Sequence, residues 1–273
     1  MRSARAGVLT VGLMQRIANK WRRVTLDAYG RRDFRLVTDV PYVSFTFDDF
    51  PRTSLTEGGT ILRRRGVRGT YFVSTQLLGH PSPSGPIATA DDVKALLADG
   101  HELGCHTYEH LDGCNSSVDA FERSIRQNRT ALADVVPGVD LPVFAYPLNG
   151  PVLSIKRAVG KHFVGCRGGG QTFNSGVVDL NLLKAYFLDW RNRGNLDAVR
   201  EVVERNAAER GWLIFATHDV ASQPSKYGCQ PDLFEEAVRL SIASGARVVP
   251  MMDACEALGI ARRHARPARS KTI

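Results

Sequence analysis

The chain has 273 residues, enough for one large domain with a substantial core. A hydrophobic content of 43% with 23% charged residues is ordinary for a globular protein. The net charge of +8 sits at the ends: residues 1–35 hold nine Lys/Arg against Asp27 and Asp33, and residues 261–273 hold five with no acid. The body between them is acidic, which argues against a nucleic-acid groove across the domain and leaves only weak attraction of the ends to anionic surfaces.

The first element in chain order is a basic helix, in which Met14, Ile17, Trp21 and Val24 recur at helical spacing among Arg16, Lys20, Arg22 and Arg23. Its apolar face is suited to packing on the main domain or to a weak membrane-surface contact. Ala6 to Met14 follows Arg2 and Arg5 but leads to no small-x-small cleavage site, so secretion is the lesser expectation. Gly30, Arg31, Arg32 and Asp33 read as a linker, which divides a 1–35 arm from a 36–260 domain and a basic 261–273 tail expected to be disordered.

From residue 42 strand-like and helix-like segments alternate. The strands are expected at 42–47, 69–74, 101–105, 143–146, 162–166, 183–188, 212–217 and 246–250, and the helices at 54–65, 90–99, 117–134, 152–160, 195–210, 231–244 and 252–259. Alternation at this pitch implies a parallel sheet with helices outside, either a barrel or an open sheet. No apolar run reaches the ~18–20 residues that a membrane-spanning helix needs.

Two stretches carry the chemistry. Ser44-Phe45-Thr46-Phe47-Asp48-Asp49 is a strand that ends in adjacent carboxylates. These are either a surface turn or, if the backbone turns at the strand's edge, a pair facing one pocket with a cation or shared proton between them. His106-Thr107-Tyr108-Glu109-His110 follows another strand, and a spacing of four on a helical turn would bring both imidazoles to one face. Two histidines and a carboxylate make a divalent metal site; the rival reading is a pair of surface or capping histidines.

These stretches resemble the polysaccharide deacetylases (carbohydrate esterase family 4, the NodB-homology domain). Phe144-Ala145-Tyr146-Pro147-Leu148-Asn149-Gly150 and Leu213-Ile214-Phe215-Ala216-Thr217-His218-Asp219 follow in the family's order, so the resemblance covers roughly residues 40 to 258. It implies a distorted (β/α) barrel with about seven parallel strands and an active site at the strands' C-terminal ends. It also implies that Asp49, His106 and His110 hold a divalent metal, most plausibly Zn²⁺ with Co²⁺, Ni²⁺ or Mn²⁺ as alternatives, which lowers the pKa of a bound water. Asp48 is then the base and His218 the acid, with Asp189 as the partner of His218 unless it merely caps the next helix. Pro147 and the backbone N–H of Leu148 are expected at the oxyanion.

One family form carries an Arg two residues before its Pro and an aromatic just after it; Ala145 and Leu148 stand there instead. Another group must therefore hold Asp48, or the site is looser. Gly168-Gly169-Gly170 is a flexible loop able to border the cleft. Cys105, Cys114, Cys166, Cys229 and Cys255 show no C-x-x-C spacing and are odd in number, which favours reduced thiols and a cytoplasmic location. Cys105 and Cys114 flank the histidines, where either could approach the metal, although buried inert cysteine is commoner.

The function expected from the resemblance is metal-dependent removal of N-acetyl groups from an amino-sugar polysaccharide or oligosaccharide. The alternatives are hydrolysis of another C–N bond, such as a formamide on a lipid-linked sugar, and carbohydrate binding without chemistry. The expected partner is an N-acylated carbohydrate.

Overall fold

A computed structural model describes residues 21–148, 150–192 and 194–261. Its strands are β1 (Asp33–Arg35), β2 (Tyr42–Phe47), β3 (Thr70–Val73), β4 (Pro81–Ser82), β5 (Gly85–Pro86), β6 (Glu102–Cys105), β7 (Val143–Ala145), β8 (Gly165–Arg167), β9 (Val177–Asp179), β10 (Tyr186–Phe187), β11 (Trp212–Thr217) and β12 (Arg247–Val248). Seven of them, in the order β10-β11-β2-β3-β6-β7-β8, form a parallel sheet curled into a half-barrel, and β12 pairs with β2. The curl brings the far edge round: Arg167 of β8 bridges in parallel to Leu183, just ahead of β10.

Outside the sheet lie α1 (Thr60–Arg64), α2 (Ala90–Ala98), α3 (Val118–Val135), α4 (Leu153–Val159), α5 (Leu196–Glu209), α6 (Pro231–Ala243) and α7 (Met251–Ala257). Their starts carry the polar residues that free helical N–H groups select. Thr89 forms a capping box with Asp92, and Ser117 and Asn195 accept from Ala120 and Ala198. The expected strands and helices from residue 42 onward all form, to within a few residues at each end, the helix expected at 54–65 as a π-helical segment (Ser54–Gly59) that runs into α1.

Strand alternation divides the core into two layers. Val43, Phe45, Phe47, Tyr71, Leu103, Phe144 and Phe215 face the helices, with Phe45 stacked on Phe215 at 5.1 Å between ring centroids. Tyr42, Phe72, Val143, Ala145, Trp212, Ile214 and Ala216 point into the half-barrel, where Met251, Ala254 and Cys255 of α7 close the lower end. Every residue of β2 is buried, as befits the middle strand of a parallel sheet. Its inward hydroxyls are partnered: Trp212 Nε1 donates to Ser44 Oγ (3.1 Å), and Thr46 Oγ1 donates to Phe215 O (2.7 Å).

In the N-terminal region one open expectation is narrowed and one is overturned. Residues 21–28 are helical, but Trp21 and Val24 are exposed and Leu26 is the buried side chain; Met14 and Ile17 lie outside the described residues. The expected linker at 30–33 is instead tied down. Asp33 opens β1, which pairs antiparallel with β9, and the Arg32 guanidinium donates to Phe163 O (2.9 Å) and Val164 O (2.7 Å). Nearby, the buried Lys156 pairs with Asp179 (2.6 Å) and donates to Tyr29 O (2.8 Å), so long-range polar contacts that no local pattern announces hold this segment to the sheet. Of the tail, only Ala261 is described.

Candidate active site

The site forms at the C-terminal rim of the half-barrel. β2's ladder continues one residue past Phe47, because Asp48 N donates to Thr217 O (2.9 Å). Asp48 therefore keeps the inward alternation of Ser44 and Thr46. Asp49 and Phe50 then adopt left-handed backbone at φ 62° and 58°, and this reversal brings the second carboxylate to the rim beside the first.

His106 N donates to Val73 O (3.1 Å), which carries the inward alternation past β6. Its Nδ1 lies 2.8 Å from Ala145 O, so Nδ1–H donates to the carbonyl and Nε2 is left free to face Asp49. The segment 106–110 is not the helical turn that its spacing suggests. It is a loop with Thr107 at φ 63° and His110 at φ 57°, held by Leu111 N donating to Thr107 Oγ1 (2.8 Å) and Tyr108 N donating to Ser124 Oγ (2.9 Å) of α3.

That loop sets its two histidines beside Asp49, so the three residues expected to hold a metal come together. Asp49 Oδ1 is 3.4 Å from His106 Nε2 and 3.2 Å from His110 Nε2, and one ligand atom from each of the three residues lies within 4.8 Å of the others. Among the described residues, Asp49 Oδ1 is buried without a hydrogen-bond donor. An orphaned carboxylate oxygen facing two imidazole nitrogens is the donor set of a divalent metal site, and the three residues fit one. Burial lowers the His106 pKa to about 4, against the opposing pull of Asp48 and Asp49, which keeps the imidazole neutral as a ligand must be.

Asp48 stands off this triad. Burial pushes its pKa up, but Arg167, His106 and His218 together outweigh burial and hold it below its ordinary value. Arg167 Nη2 donates directly to Asp48 Oδ1. Nothing in the local sequence marked Arg167; the available signal was its inward position at the end of β8, paired in register with Ala145.

His218 caps β11, with Nε2 3.8 Å from Asp49 Oδ2, and its ring lies 5.3 Å from that of Tyr227. The expected bond from Asp189 is not made. Asp189 accepts from Arg191 N (2.8 Å) and Arg191 Nη1 (2.6 Å), and His218 Nδ1 is buried without a partner. Nor does Asp189 cap the following helix, where Asn195 serves. Burial raises the Asp189 pKa, with Arg191 acting against it.

Pro147 and Leu148 occupy the loop after β7, the strand whose Ala145 carbonyl holds His106; Leu148 is left-handed at φ 55° and exposed. The glycine loop begins directly after β8, and Gly168 O accepts from Arg167 Nη1 (3.2 Å). Neither flanking thiol joins the site. Cys105 belongs to the outer core layer, where burial pushes its pKa up to about 11, and Cys114 Sγ donates to Gly150 O (3.0 Å).

Residues 36–161 match the family model for polysaccharide deacetylase. The matched segment holds Asp48, Asp49, His106 and His110 but ends before Arg167, Asp189 and His218. A chitin deacetylase of a Pestalotiopsis species is 28% identical over 66% of this chain and 54% of its own length. A peptidoglycan-N-acetylglucosamine deacetylase of Listeria monocytogenes is 32% identical over 34% of this chain and 18% of its own. The chain thus spans about half the length of the first relative and less of the second. The solved chitin deacetylase of Colletotrichum lindemuthianum superposes with a TM-score of 0.58, covering 86% of this chain and 97% of that one at 20% identity, which establishes the shared fold.

Proposed function

We propose that the protein is a metal-dependent hydrolase that removes N-acetyl groups from amino sugars within a polysaccharide or oligosaccharide. The observation that carries this reading is the buried, donor-less Asp49 Oδ1 between His106 Nε2 and His110 Nε2, with Asp48 and His218 converging on the same rim. The two relatives above are deacetylases of chitin and of peptidoglycan, both polymers of acetylated amino sugars.

Asp49, His106 and His110 would hold a divalent ion such as Zn²⁺, which lowers the pKa of water and polarises a carbonyl. Asp48, paired with the Arg167 guanidinium and held below its ordinary pKa, takes the proton from the attacking water. His218 lies against the outer oxygen of Asp49 and delivers a proton to the departing amine. The Leu148 N–H is the candidate donor to the oxygen that becomes negative as the amide carbon turns tetrahedral.

Leu148 is exposed where one family form has an aromatic, so the wall that meets the acyl sugar differs and a formamide stands as a second substrate class. The test is metal analysis of the purified protein followed by acetate and formate release from a panel of N-acylated glycans. Bound divalent metal with acetate release is expected. Formate alone would select the second class, and metal with no release of either acid would leave a sugar-binding protein.

A further inference from the structure

The sequence lacks an arginine at position 145, yet Asp48 is not left as an unpaired buried carboxylate. We propose that Arg167 is the positioning residue for Asp48, and that positions 145 and 167 are alternative seats, on adjacent strands, for one guanidinium. The proposal rests on the hydrolase reading above, because Asp48 is the base in that reading.

The argument starts from register. Ala145 of β7 and Arg167 of β8 are Cα partners in a parallel ladder, so their side chains leave the sheet on the same face, one strand spacing of about 4.8 Å apart. That face is the interior of the half-barrel, where Asp48 and His106 also point. Ala145 and Arg167 are both buried, at 0% and 1% exposure. Arginine at both positions would crowd two cations into one enclosed space. Alanine at one and arginine at the other places a single charge there.

The interior is shaped to receive that charge from β8. Phe72 lies under the Arg167 guanidinium, 5.1 Å from ring centroid to Cζ, and Phe187 lies 5.5 Å away on another side. Phe72 can occupy this place because its neighbour is Gly104: a Cβ there would stand 2.4 Å from the Phe72 ring. Arg167 Nη1 is anchored on Gly168 O and Nη2 on Asp48, so the fork is fixed at both prongs. Phe187 also carries Arg191, at 4.1 Å, whose guanidinium holds Asp189. One ring therefore supports the arginines of both Asp48 and Asp189.

A buried carboxylate is tolerated when its counter-charge and hydrogen bonds are in place, and removing one partner strands the other. Misplacing a reacting group by about 1 Å can cost about 10²-fold in rate. Arg167→Ala should therefore lower kcat by about 10²-fold while KM moves less than about twofold and bound metal is retained. Ala145→Arg on the Arg167→Ala background should recover most of that loss. An Arg167→Ala protein with unchanged kcat would overturn the positioning role; a folded, metal-bound double variant that stays as impaired as Arg167→Ala would overturn the alternative seat.

The urea midpoint supplies a readout independent of turnover, in a set of four full-length proteins: wild type, Arg167→Ala, Asp48→Asn/Arg167→Ala and Ala145→Arg/Arg167→Ala. The midpoint should fall in Arg167→Ala and return toward wild type in both doubles, the first because the stranded charge is gone and the second because it is paired again. Equal midpoints in Arg167→Ala and Ala145→Arg/Arg167→Ala would count against the proposal. Wild-type protein that releases no acyl group defeats the hydrolase reading alone, since these midpoints still decide the pairing.

Discussion

The carboxylates at the two ends of the half-barrel, Glu102 at the foot and Asp49 at the rim, are treated in opposite ways. At the N-terminal foot, the Glu102 carboxylate accepts from Thr70 Oγ1 (2.8 Å) and from Met252 N of α7 (2.8 Å), and Thr70 Oγ1 itself accepts from Met251 N (2.9 Å). At the rim, Asp49 Oδ1, His218 Nδ1 and Arg167 Nε are buried with no partner. Backbone strain gathers at the rim: of the seven left-handed non-glycine residues among the described residues, Asp49, Phe50, Thr107, His110 and Leu148 sit in rim loops. Such conformations persist only where surrounding structure enforces them, and they gather where geometry serves a reaction. The foot satisfies its carboxylate internally, although His101 Nε2 and Asn206 Oδ1 nearby stay unpartnered among the described residues, whereas the rim's unpartnered carboxylate oxygen faces two imidazole nitrogens.

The contrast breaks most completely at Asp49. Asp49→Ala leaves two histidines, too few to hold a divalent ion firmly, so metal and turnover should disappear together. Excess metal in the assay should restore part of both. Metal analysis of the dialysed variant beside its acetate-release rate checks this, and retention of metal with full activity would remove Asp49 from the ligand set.

Substitutions at Asp48 and His218 test the proton-transfer groups without dismantling the triad. Asp48→Asn keeps the shape but loses the acceptor, and His218→Ala loses the donor. Each should lower kcat by ~10²–10⁴, the usual worth of general acid–base catalysis, with metal still bound and no rescue by added metal. Loss of metal from the His218 variant would make it a ligand and reverse its assignment.

What the sequence made legible follows from range. Periodicity and capping residues report local physics, so the strands and helices beyond residue 42 were readable, as was the triad, whose members each follow a strand. The H-x3-H stretch could be read as a loop or as a helical turn, and it is a loop in which Thr107 and His110 adopt left-handed backbone that their residue types do not favour. Arg167 was invisible because its bond to Asp48 spans 119 residues and depends on how the sheet curls. Asp189 was given to His218 because both end strands near one another, whereas Arg191, two residues on, claims the carboxylate with both its backbone and its side chain. The periodicity of the first helix left packing and surface contact both open for a related reason: an apolar periodicity shows that a helix has a face, not which face finds a neighbour, and Trp21 and Val24 are exposed.

The smallest predicted effect is at the foot and sharpens the contrast from that side. Burial raises the Glu102 pKa from 4.5 to about 7, with Thr70 and the α7 N–H groups acting in the opposite direction. In the unfolded chain the carboxyl ionises near its ordinary value, so between pH 4.5 and about 7 the folded protein binds the proton that the unfolded protein has lost. Stability therefore falls as pH rises through that window and levels off above it, by on the order of 2–3 kcal/mol if this group acts alone. Glu102→Gln keeps the shape and cannot ionise. Its urea midpoint should show a smaller loss between pH 4.5 and 7, so that the two proteins converge in acid and diverge at neutral pH, with the variant the more stable. Acyl release at neutral pH should stay within about twofold of wild type, since Glu102 touches none of the rim residues and turnover tolerates a stability change that leaves the protein folded. Parallel midpoint curves would mean that the hydrogen bonds at the foot compensate the ionised carboxylate fully.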